Sequence, residues 1–65
     1  MTPDEVHAKV QHIATLANDA EAAHGAEDDL WQDVLTAIKD GAPEAADLAS
    51  EALKTREIDF PRWYA

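Results

Sequence analysis

Cysteine is absent from this 65-residue chain, which excludes a disulfide framework, a thiolate metal centre and a cysteine nucleophile. Only two glycines are present, too few for the glycine-rich loops that cradle phosphates or dinucleotides. Strand formers are scarce, with three valines and three isoleucines in all, so a β-sheet has little to be built from. Basic residues are scarcer than acids: 5 Lys and Arg stand against 14 Asp and Glu, for a net charge of −9 and a pI near 4.4. Direct nucleic-acid binding is thereby excluded as an expectation, because phosphate neutralisation needs cations and base readout needs Arg, Lys, Asn or Gln. No apolar run approaches the roughly 18 to 20 residues that cross a bilayer. The start, Met1-Thr2-Pro3-Asp4-Glu5, has neither the basic residues nor the apolar stretch of a signal peptide. These absences predict a soluble, cytoplasmic protein with no membrane contact.

What is abundant is alanine, 14 residues of the 65, and alanine is the best helix former. The expected architecture is all-α, a single domain over residues 1–65. It is a three-helix bundle with a long helix 1, shorter helices 2 and 3, and an aromatic C-terminal tail. Thr2-Pro3-Asp4-Glu5 reads as a capping box, and Val6, Val10, Ile13, Ala17 and Ala20 keep to one stripe with Leu16 at its edge. Helix 1 is therefore predicted over about 4–24, roughly 31 Å long, with Gly25 as a left-handed C-cap. Glu27, Asp28 and Asp29 then open helix 2, over 27–39, as first-turn carboxylates. Its apolar face is Leu30, Trp31, Val34, Leu35 and Ile38, and Asp40-Gly41 ends it. Pro43 starts helix 3, over 43–54, with Ala45, Leu48, Ala49, Ala52 and Leu53 inward. The tail, 56–65, holds Phe60, Trp63 and Tyr64.

Charge is concentrated in the middle: residues 1–18 carry −1, residues 19–33 carry −6, and residues 34–65 carry −2. At 100° per residue Asp29, Asp33 and Asp40 fall within about 40° of one another, and Glu44, Asp47 and Glu51 make a second stripe. The spacing puts no basic residue in position to relieve Asp29 with Asp33 or Asp47 with Glu51. The two stripes serve either as a solubilising face or as one acidic wall that docks a basic protein partner. A helix-turn-helix reading of helices 2 and 3 fails on the sign of their charge.

The three histidines do not converge: His7 and His12 lie about 140° apart on the helix and His24 is further along. Glu21 and His24 have the Glu-x-x-His spacing of carboxylate-bridged metal bundles, but in one copy only. They are the metal candidates, against the plainer reading of His24 as a partly buried or capping histidine. Carboxylate pairs are too common here to mark an acid/base site, which also needs a desolvating pocket. Ser50, the threonines and Tyr64 sit in no nucleophile or phosphate-loop motif. No catalytic residue and no cofactor is predicted, and an enzyme is not expected.

Phe60, Arg62, Trp63 and Tyr64 either fold back over the alanine-rich faces or anchor a partner, since Trp, Tyr and Arg are enriched in binding hot spots. The excess length of helix 1 leaves room for a homodimer, a common source of stability in chains of this size. The run His24-Gly25-Ala26-Glu27-Asp28-Asp29-Leu30-Trp31 followed by Asp33-Val34-Leu35, and the ending Glu57-Ile58-Asp59-Phe60-Pro61-Arg62-Trp63-Tyr64-Ala65, resemble small acidic proteins of unknown function from actinobacteria and their phages. The resemblance implies a source but no mechanism; for a phage-encoded chain it implies a host-directed binding role. The expected function is a small acidic protein-protein interaction module. A metal-binding oligomer built on Glu21 and His24, or a structural accessory subunit, is the alternative.

Overall fold

A computed structural model describes residues 1–62 of the chain. Three helices follow one another, α1 (Pro3–Thr15), α2 (Ala20–Lys39) and α3 (Ala45–Leu53), and a 3₁₀ turn, Lys54–Glu57, closes the last. Among the described residues there is no strand. Each helix packs on the other two.

The start of α1 follows the sequence reading: the Thr2 hydroxyl accepts from the Glu5 N–H at 3.2 Å, with Pro3 in the first turn. Its end does not. The chain leaves the helix after Thr15, so the long helix is the second, of 20 residues against 13 for α1. At the break the Thr15 hydroxyl donates to the His12 carbonyl, and tight turns carry Leu16 N–H to Ile13 O at 2.9 Å and Asp19 N–H to Leu16 O at 2.8 Å. The Asp19 carboxylate then caps α2 by accepting from Ala22 N–H at 3.2 Å. Thr and Asp side chains compete with the backbone for such bonds, and Thr15 and Asp19 stand at the end of one helix and the start of the next.

Gly25 is not a C-cap; it lies inside α2. A mid-helix glycine costs on the order of 1 kcal/mol, and burial of Ala23, Glu27 and Leu30 on either side holds the helix through it. Glu27, Asp28 and Asp29 are accordingly mid-helix residues, and the first-turn acid of α2 is Glu21. The predicted spans 4–24 and 27–39 are corrected to 3–15 and 20–39. The length argument for pairing through helix 1 goes with them, since 13 residues make only about 20 Å.

The C-terminus of α2 is where the sequence puts it. Gly41 takes φ +88°, its N–H reaches Ile38 O, and Ala42 N–H reaches Ala37 O, both at 3.0 Å. This 6→1 and 5→2 pair satisfies carbonyls the helix end leaves open. Helix 3 begins at Ala45 rather than Pro43, because Glu44 occupies the left-handed region at φ 61°.

The core joins Val6, Val10 and Ile13 of α1, Ala23, Leu30 and Val34 of α2, Leu48 and Ala52 of α3, and Phe60. Two leucines assigned to inner faces are not in it: Leu35 is 65% and Leu53 48% exposed. Nine residues of α3 make about 14 Å against about 30 Å for α2, so α3 covers only part of its neighbour's apolar stripe.

Candidate interaction surfaces

The most elaborate side-chain cluster fastens the C-terminal segment. Glu27 follows Ala23 by four residues and precedes Leu30 by three, which puts a carboxylate on the buried stripe of α2, where it is 6% exposed. Arg62 meets it through Nε at 2.9 and 3.2 Å to the two carboxylate oxygens and through Nη2 at 3.0 Å. The same guanidinium donates to the carbonyls of Thr55 at 2.6 Å, Ile58 at 3.1 Å and Phe60 at 3.3 Å, and lies 3.8 Å from the centre of the Phe60 ring. Thr55 is fully buried beside it, accepting from the Trp31 indole N–H at 3.0 Å, while that N–H also reaches Ala52 O at 3.2 Å.

Burial alone pushes the Glu27 carboxyl up. Hydrogen bonds from Arg62 and Thr55, with the charges of Arg62 and His24, outweigh it and hold the group below its ordinary value. An ion pair this well saturated with hydrogen bonds is a clasp, and it places two of the four tail candidates: Phe60 fills the core and Arg62 turns inward. Trp63 and Tyr64 lie outside the described residues. Two residues after Gly25, Glu27 reads in the sequence as a helix-opening acid. The missed signal was its position on the 23–27–30–34 apolar stripe.

The six acidic candidates are placed unequally. Asp29 and Asp33 are exposed and border α1, lining with Lys9, His12 and Leu30 a shallow groove of about 240 Å³. Asp40 is exposed and paired with Lys39 at 3.0 Å. Glu44 and Asp47 are exposed. Glu51 is half-buried, 3.0 Å from His7 Nδ1 and in contact with Lys54 three residues on. The Lys54 contact holds the Glu51 carboxyl below the usual range, and Glu51 in turn raises the Lys54 ammonium. Lys54 thus relieves the stripe that the sequence reading left without a cation. Glu51 meets α1 at His7, and Asp29 and Asp33 share a groove with Lys9 and His12 of α1.

Of the metal candidates, Glu21 is exposed, and His24 Nε2 sits 3.6 Å from Asp28. Among the described residues no three potential ligands converge. No described helix is long and apolar enough to cross a membrane.

An apolar groove of about 290 Å³ opens between α2 and α3, lined by Trp31, Leu35, Ile38, Ala49 and Leu53 with Val34 and Ala52 at its floor. Comparison with protein-family models, curated proteins and solved structures gives no match.

Proposed function

We propose that this protein is a small acidic helical module that works by binding another protein, and that its partner is basic. What supports the reading is the distribution of charge. Asp29, Asp33, Glu44 and Asp47 are exposed and make no ion pair among the described residues, although Lys9 shares a groove with Asp29 and Asp33, while Lys39, Lys54 and Arg62 are paired with Asp40, Glu51 and Glu27. A surface left so one-sided attracts a basic partner over a Debye length of roughly 8 to 10 Å. The resemblance to small acidic proteins of actinobacteria and their phages agrees with a host-directed partner for a phage-encoded chain.

The test is kinetic. A partner recovered by affinity capture from the source cell should associate at a rate that falls steeply with added salt. Asp29→Lys with Asp33→Lys should slow association while leaving the helical circular dichroism intact. A rate flat from low to high ionic strength would remove the charge from the recognition.

A further inference from the structure

We infer that the groove between α2 and α3 receives the apolar side of an amphipathic helix from the basic partner, an inference that rests on the function proposed above. Trp31, Leu35 and Ile38 recur at helical spacing along one wall, and Ala49 and Leu53 form the other. The one polar atom on these side chains, the Trp31 indole nitrogen, is turned inward to Ala52 O and Thr55 Oγ1, so the indole offers the groove a purely apolar face. Among the described residues the exposed large hydrophobics are Met1, Leu35 and Leu53, and the last two line this groove from different helices. Lone surface leucines are ordinary, but these two line one apolar groove together with Trp31, a residue type enriched in binding hot spots.

Size and charge choose the occupant. A space of about 290 Å³ takes one or two large side chains, the number an amphipathic helix presents at i and i+3 or i+4. A second copy of this chain fits poorly. A stable dimer needs about 800 Å² from each partner, nearly a fifth of the 4421 Å² that this molecule exposes. Spreading that far brings together two surfaces of a chain carrying −9. Along the outer edge of α2 beside the groove stand Asp28, Gln32, Leu35 and Lys39, spaced by 4, 3 and 4 residues. Lys39 is matched by Asp40, and the Asp28 side chain remains 61% exposed. Lysines or arginines flanking the partner's apolar residues would meet Asp28 at one end and the field of the remaining carboxylates elsewhere.

The probe is a helical peptide of about 18 residues with leucines at i, i+3, i+4 and i+7 and lysines on its other faces. Its control has alanine at the four leucine positions and the same charge. Both are titrated into the full chain at low salt by fluorescence anisotropy, with the Leu35 and Leu53 methyl resonances followed by NMR. The expected result is that the leucine peptide binds about tenfold tighter than the control, shifts both methyls, and loses that advantage with Leu35→Gln plus Leu53→Gln. These substitutions fall on exposed positions and should leave the circular dichroism unchanged. Equal binding of the two peptides, or shifts confined to Asp29 and Asp33, overturns the groove and leaves the acidic module standing. Methyl shifts that depend on protein concentration without peptide assign the face to a second copy and also overturn it. No binding of either peptide overturns both proposals.

Discussion

Gly25→Ala is expected to stabilise the protein, and the size of the effect can be worked from the backbone alone. Gly25 is the sixth residue of α2, is exposed, and has a helical conformation; a Cβ built on it meets nothing within 4 Å. Neither a clash nor a new contact enters, so the difference is helix propensity plus the reduced freedom of the unfolded chain, about 0.8 to 1 kcal/mol in favour of alanine. In a domain of this size that raises Tm by roughly 4 to 8 °C. Gly41→Ala provides the opposite sign. Its Cβ also meets nothing within 4 Å, but φ is +88°, and an L-residue there costs about 1 kcal/mol in torsional strain. Thermal and urea unfolding followed at 222 nm should therefore move in opposite directions for the two variants, with urea slopes unchanged. A Gly25→Ala protein that melts lower, like Gly41→Ala, would show that Gly25 has a positive φ and ends a helix, and the continuous α2 would be refuted.

Three further outcomes are expected. Asp19→Ala should lower stability by about 1 kcal/mol through loss of the cap to Ala22, whereas a helix running unbroken from 4 to 24 would gain from the same change; thermal melts separate the two. Arg62→Met leaves the Glu27 carboxylate buried without its partner and should cost about 2 to 4 kcal/mol in urea unfolding, with Glu27→Gln in the same chain recovering part of it. The third concerns acid. Because the Glu27 carboxyl is held below its ordinary value of 4.5, it contributes stability above that pH and loses it as pH falls through the lower, folded value. The urea midpoint of the native chain should drop more steeply below about pH 4 than that of Glu27→Gln; parallel acid limbs would count against the clasp.

Much of the fold was legible because local chemistry decided it. Thr2 and Pro3 at the first helix, and Asp40-Gly41 at the end of the second, act through bonds made within a few residues and need no tertiary partner. The break at Leu16–Asp19 was also written locally, in Thr15 and Asp19, but a strong apolar period and the familiar stop signal of Gly25 concealed it. Glu27 shows a different difficulty. Its place on the apolar stripe is visible in the sequence, yet its meaning depends on Arg62, 35 residues away. Of the candidate surface, the acidity of Asp29, Asp33, Glu44 and Asp47 could be read directly. The pairing of Glu51 with His7 could not, for it joins residues 44 apart in sequence.

The sequence by itself determined the helical class, the excess of negative charge and two of the helix ends, because propensity, composition and capping are local properties of the chain. Only the tertiary structure decided that α2 continues through Gly25, that a carboxylate at position 27 is buried, and that Leu35 and Leu53 face outward. Those three depend on lengths and on distant partners. A glycine stays helical when the stripe around it is buried, a buried carboxylate needs its guanidinium, and a nine-residue helix is too short to cover the apolar side of one with twenty.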